Sequence, residues 1–137
     1  MADDSELVHL REKRMQELQQ ASSSAPAGTG PIRLDDDSFA AEVRKPGVLL
    51  VDLWAAWCGP CIRMGPVIEA IANDYRGRVR VAKLNVDESP YTAARFGVTS
   101  IPTFLVFRDG ELVDGLIGAM PREALESRLQ RWLQAAA

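Results

Sequence analysis

The segment Trp57-Cys58-Gly59-Pro60-Cys61 constrains this chain more than any other stretch. It holds the only two cysteines of the sequence, separated by two residues. The apolar run Val48-Leu49-Leu50-Val51-Asp52-Leu53-Trp54 precedes it and reads as a buried strand. The residues after it, Ile62 to Ile71, read as an amphipathic helix. The cysteines therefore sit where a strand turns into a helix. A helix start carries free N–H groups and a partial positive charge, and a thiolate there is favoured over a thiol. An effect of about 1 kcal/mol lowers the Cys58 pKa by about one unit, enough for a useful thiolate fraction near neutral pH. Cys61 lies one turn further on the same face, within reach of the Cys58 sulfur. Pro60 suits the first turn, where its missing N–H would be unpaired anyway. Gly59 and Pro60 leave no bulky side chain over the sulfurs. The competing readings are a zinc half-site shared between two chains and a pair of inert core thiols. Zinc takes four ligands, and this chain offers two cysteines and the distant His9.

The segment Val51 to Cys61 resembles the active-site segment of the thioredoxin family, which is itself the familiar case of a lowered thiol pKa at such a motif. The resemblance runs from about Ile32 to Leu133. It implies an α/β fold in which a central five-stranded mixed sheet lies between helices. It also implies disulfide reduction in other proteins by thiol–disulfide exchange, with Cys58 as nucleophile and Cys61 as resolving cysteine. No metal or organic cofactor is implied.

Composition bounds the alternatives. At 137 residues there is room for one domain with a real core. The formal net charge is -3, both signs are scattered, and no basic run suggests nucleic acid. No apolar stretch is long enough to span a membrane. The acidic start Met1-Ala2-Asp3-Asp4-Ser5-Glu6 lacks an apolar signal region, so secretion is not indicated. Two cysteines spent on one motif fit a reducing cytosol better than a disulfide-stapled exterior, and a cytoplasmic monomer is expected.

Residues 1–20 read as a charged helical leader, with a capping-box-like Asp3 and Glu6. Leu7, Leu10, Met15 and Leu18 cluster on one side, but Arg11 and Arg14 break the stripe. A solvated, partly formed helix and a helix docking on a partner or on the domain both stay open. Residues 21–31, rich in Ala, Ser, Gly and Pro, read as a flexible linker. Residues 32–137 form the domain. Ile32-Arg33-Leu34 is a short strand candidate, and Asp35 or Asp36 caps a helix carrying Phe39 and Val43. Pro66 should kink the cysteine helix, and Gly77 is placed to end it. Further strands are expected over Val79–Val86 and Thr103–Phe107, with a helix between them that Asp87-Glu88-Ser89-Pro90 starts, that carries Ala93, Ala94 and Phe96, and that stops at Gly97. Asp109-Gly110 signals a hairpin into Leu112–Ile117. Pro121 opens a last helix with Leu125, Leu129, Trp132 and Leu133 on one face.

Beyond the cysteines, Asp52 interrupts an apolar strand. Buried, its ion would be costly and its pKa raised; the duller alternative is a strand-end aspartate facing water. The resemblance implies burial behind the cysteine pair and proton transfer with the resolving cysteine, with Lys83 as the neighbouring lysine. Ser100-Ile101-Pro102-Thr103 resembles the family's loop facing the disulfide, which implies a cis bond before Pro102; an ordinary turn is the alternative. Trp57, Gly59, Pro60, Ile101, Gly118 and Ala119 match the family's substrate-contact surface, while Trp54 defaults to core packing. Ile62 departs from the pattern, since many members carry lysine or arginine there. Arg63 is next but is expected to point elsewhere on the helix, so a positive charge near the thiolate is lost. The implied partners are disulfide-containing proteins and a thioredoxin reductase for recycling. An oxidase or isomerase on the same fold and a non-enzymatic scaffold are the rival readings.

Overall fold

A computed structural model describes residues 30–134 and, outside that range, Arg11, which is helical. The leader residues other than Arg11, and all but the last two linker residues, lie outside the described residues, His9 and the Asp3–Glu6 cap among them. The elements run β1 (Ile32–Leu34), α1 (Phe39–Arg44), β2 (Val48–Trp54), α2 (Gly59–Asp74), β3 (Val79–Asn85), α3 (Pro90–Arg95), β4 (Thr103–Arg108), β5 (Glu111–Ile117) and α4 (Arg122–Gln134). The strands form one five-stranded sheet in the order β1-β3-β2-β4-β5. β1 and β2 run parallel to β3, whereas β4 is antiparallel to both β2 and β5.

β2 is the axis of the fold. Val48 through Leu53 are all buried, as expected of a strand covered on both faces. Val48 and Leu50 join one core layer with Met64, Ile68 and Ile71 of α2 and Leu125 and Leu129 of α4. Leu49, Val51 and Leu53 join the opposite layer with Phe39 of α1 and Ala93 of α3. That alternation is the period of two of a strand. In the second layer Phe39, Phe96 and Phe107 meet edge to face, with ring centroids 5.5–5.7 Å apart, the geometry the ring quadrupole favours.

Local chemistry explains the joints. Asp109 and Gly110 both have positive φ, 50° and 88°, and form the two-residue turn between β4 and β5 that matches the strands' twist. Asp35 Oδ1 accepts the Asp37 and Ser38 N–H groups at 3.0 and 2.8 Å and shapes the turn into α1; hydrogen bonds from Ser38 hold its carboxyl below the ordinary value. Asp36 caps a different helix. It accepts the Thr92 N–H at 2.9 Å and the Thr92 hydroxyl at 2.7 Å, joining the β1–α1 turn to α3. α2 runs from Gly59 to Asp74 as one helix with Pro66 inside it.

The edge strand is fixed by a buried carboxylate. Asp114 of β5 accepts two hydrogen bonds from the Arg128 guanidinium, at 3.0 and 3.1 Å, and one from the Trp132 indole at 3.0 Å. Arg122 likewise binds Asp74 and Glu126, tying the start of α4 to the end of α2. Replacing Asp114 with Ala leaves a partly buried indole N–H and a half-buried guanidinium without their acceptor. We expect the variant to lose about 2–3 kcal/mol of unfolding free energy, read from urea denaturation, while Asp109→Ala at the exposed turn changes less.

Candidate active site

The end of β2 delivers the motif. After Trp54 the chain makes one turn, closed by the Cys58 N–H donating to the Ala55 carbonyl at 3.2 Å. Cys58 is the N-cap of α2, with extended backbone, φ -87° and ψ 107°. Its sulfur accepts the Cys61 N–H at 3.2 Å, the position a serine or aspartate oxygen fills at other helix starts. Cys58 and Cys61 are bonded as a disulfide with their Cα atoms 5.2 Å apart, within the ordinary range. Their sulfurs pack in a small cluster with Ala55, Trp54, Val86 and Ile101. The residues themselves are 4% and 2% exposed. A thiolate released at Cys58 meets a helix N-terminus and one aimed N–H, both of which favour the charged form.

Other segments close around the pair. The Ile101–Pro102 peptide bond is cis, and Cys58 Sγ lies 3.8 Å from the Ile101 carbonyl oxygen. Gly118 has φ +96° and donates its N–H to the Pro102 carbonyl at 2.8 Å. That backbone region strains any residue with a Cβ, so the glycine is required by the turn at the end of β5. Ala119 beside it is exposed. Trp57 is 72% exposed and donates its indole N–H to Asp87 Oδ2 at 2.8 Å. Asn85 Oδ1 accepts the Asp87 and Glu88 N–H groups and shapes that loop. Trp57, Pro102 and Gly118 thus come to one pole of the sheet with Gly59 and Pro60, which open α2 as exposed residues.

Asp52 sits two residues before Trp54 in β2 and is 0% exposed. Its position places it on the face of Leu50, the face that α2 covers. Neither carboxylate oxygen has a hydrogen-bond partner among the described residues. Lys83 is its direct neighbour in register on β3, but no ion pair joins them; the Lys83 ammonium lies over the Trp54 ring, 4.4 Å from its centroid. Burial pushes the Asp52 carboxyl up to about 7, and the charge of Lys83 offsets only part of that. Trp54 therefore does more than fill the core, because it holds the one cation that neighbours Asp52 in register.

Two residues beside the motif were not legible as site residues. Asp87 is an ordinary loop aspartate in the sequence. The signal for it is that β2 and β3 end together, Trp54 opposite Asn85, which brings the next loop alongside the motif. Arg63 was expected to point elsewhere on the helix; its Nη1 lies 3.6 Å from where a Cβ on Gly59 would stand. A long helical side chain leans toward the N-terminus, over the residue four positions earlier. Among the described residues there is no group of three or more His, Cys, Asp or Glu side chains arranged for a metal ion, and no helix long and apolar enough to cross a membrane.

A bonded cysteine pair opening a helix at the end of a buried strand defines a dithiol–disulfide oxidoreductase. A family model described as thioredoxin matches residues 30–131. Thioredoxin 2 of Chlorobaculum tepidum is 50% identical over 95 residues, which cover 69% of this chain and 87% of that protein. The thioredoxin of Staphylococcus saprophyticus is 47% identical over 102 residues, covering 74% of this chain and 97% of that protein. For the thioredoxin of Synechocystis sp. the figures are 44% over 102 residues, 74% and 95%. The chain belongs to the thioredoxin family, and its activity is that of a protein-disulfide reductase working by thiol–disulfide exchange through Cys58 and Cys61.

The buried carboxylate sets a pH dependence of stability. Asp52 binds its proton more tightly folded, with a pKa of about 7, than unfolded, near 3.8. Stability from this group is therefore greatest below pH 3.8, falls as pH rises, and levels off above 7. At about 1.4 kcal/mol per pKa unit the loss is at most about 4 kcal/mol. Denaturation of the oxidised protein at pH 5 and pH 8 should show that fall, and Asp52→Asn should flatten it.

Proposed function

We propose that Cys58 attacks and Cys61 resolves, that Asp52 takes the Cys61 proton, and that the protein works as a cytoplasmic monomer recycled by a thioredoxin reductase. The observation that carries this reading is the position of Cys58 as N-cap of α2 with the Cys61 N–H aimed at its sulfur. The thiolate of Cys58 attacks one sulfur of a substrate disulfide. The other substrate sulfur leaves as a thiolate and takes a proton from solvent, and a mixed disulfide remains. Cys61, once deprotonated, attacks the Cys58 sulfur. The second substrate thiolate leaves, and the Cys58–Cys61 disulfide forms. Two thiols of this protein have been oxidised and one substrate disulfide reduced. Two electrons from the reductase return the pair to its dithiol form.

A base for the second step must hold and release a proton near the working pH. Asp52, raised to about 7 by burial, meets that requirement, and Lys83 keeps it from rising further. The exposed Trp57, Gly59, Pro60 and Ala119, with Ile101, Gly118 and the buried Pro102, supply a weakly polar surface on which an extended substrate segment docks against backbone. The cytoplasmic assignment is supported by cysteine usage, both thiols being spent on one motif. The mixed charge and the absence of a basic run support protein substrates rather than nucleic acid or membrane.

Trapping tests the roles. Cys61→Ser should accumulate mixed disulfides with substrate proteins, visible on non-reducing gels, and Cys58→Ser should not; the reverse pattern overturns the assignment. Asp52→Asn should slow resolution of a preformed mixed disulfide by at least about tenfold near neutral pH, the low side of what a positioned base contributes. An unchanged rate and pH profile would remove Asp52 from the mechanism.

A further inference from the structure

We propose that Arg63 is a specificity residue of the dithiol face, forming an ion pair with a carboxylate that a substrate carries beside its disulfide. The inference rests on the reductase reading of the site. Arg63 lies in the first turns of α2 and is exposed. Its Nη1 stands 3.6 Å from the Cβ position of Gly59, the residue directly after Cys58. Glycine at that position leaves the guanidinium room to lie across the helix start.

The charge is uncommitted. Among the described residues the Arg63 guanidinium donates no hydrogen bond and joins no ion pair, whereas Arg33, Arg80, Arg122 and Arg128 each hold a carboxylate. The large exposed side chains of the motif and the residue after it are apolar: Trp57 is 72% exposed and Ile62 is 54% exposed. The loop carboxylate beside the motif, Asp87, already accepts the Trp57 indole N–H. A docking segment therefore meets one unpaired fork of donors on an otherwise weakly polar face. A guanidinium pairs best with a planar anion that accepts two parallel hydrogen bonds, and a carboxylate is the anion a protein substrate brings. The same cation screens that carboxylate from the Cys58 thiolate, which would otherwise repel it. Arg63 thus sets a positive charge over Gly59, next to the exposed and apolar Ile62.

The test compares two synthetic disulfide peptides that differ only in Glu or Gln two residues from the cystine. The wild-type protein should favour the Glu peptide by roughly three- to fivefold in kcat/KM, the range of an exposed ion pair, and the ratio should fall toward one in high salt. Arg63→Met should bring the ratio to one at low salt, Arg63→Glu should invert it, and Arg63→Lys should restore part of it. A ratio that is the same in wild type and Arg63→Met overturns the proposal, including the case in which both peptides slow by one factor. Turnover of the Gln peptide by wild type reports the reductase reading separately, and its absence would overturn both.

Discussion

The structure depends on one joint, the passage from a strand buried on both faces into the first turn of α2. β2 is hydrogen-bonded to β3 on one side and β4 on the other, and its side chains enter both core layers. A segment held in that way has no freedom to shift its end. The Trp54 carbonyl accepts the Val86 N–H at 2.9 Å, so the exit of the strand is fixed as well. The turn that follows delivers Cys58 to the N-cap of α2, where backbone N–H groups lack partners within the helix. Sulfur takes the place of the usual capping oxygen. Reactivity is thus built from an ordinary structural need, and no separate device is required to bring positive potential to the thiol.

The same strand carries the fold's main electrostatic cost. An ionised carboxylate without partners in a dry core is expensive, and Asp52 has neither hydrogen bond nor ion pair among the described residues. The two core layers outweigh it. Leu49, Leu50, Leu53, Ile68, Ile71, Phe104, Leu125 and Leu129 are all fully buried, each contributing about 1.5–3 kcal/mol. A destabilising group of a few kcal/mol is affordable in such a core, and what it supplies is a carboxyl that gains and loses its proton near neutrality. The Lys83–Trp54 contact belongs to this balance. Drawn onto the indole face, the ammonium stays near Asp52 without neutralising it.

Much of this was legible in the sequence, for a physical reason. β2, the Asp109-Gly110 turn and the helix after the cysteines are specified by short-range patterns: a continuous apolar run, a dipeptide that tolerates positive φ, a proline at a helix start. Features that depend on long-range partners were not legible. Asp35 or Asp36 was expected to cap the helix that follows; Asp35 shapes the turn into it, whereas Asp36 caps α3, because the β1–α1 turn packs against Thr92. Nothing local in the sequence marks Asp114, yet it anchors α4 through Arg128 and Trp132. Asp87 had no local signal.

Sheet topology explains why so few residues suffice. β1, β2 and β3 are parallel, so their C-terminal ends lie at one pole of the sheet; β4 runs the other way and begins there, and β5 returns to it. Four chain segments distant in sequence are thereby gathered: the motif after β2, the Asp87 loop after β3, Pro102 before β4 and Gly118 after β5. Ligand sites at the C-terminal ends of strands are general in such open sheets. The short β1 pairs with the C-terminal half of β3, Ile32 opposite Ala82, and Pro31 and Arg33 line a cavity with Trp54, Ala56, Asn85 and Glu88 beside that pole. The redox face is therefore composed of residues from loops that meet at one pole of the sheet, each fixed by the strand it follows or precedes.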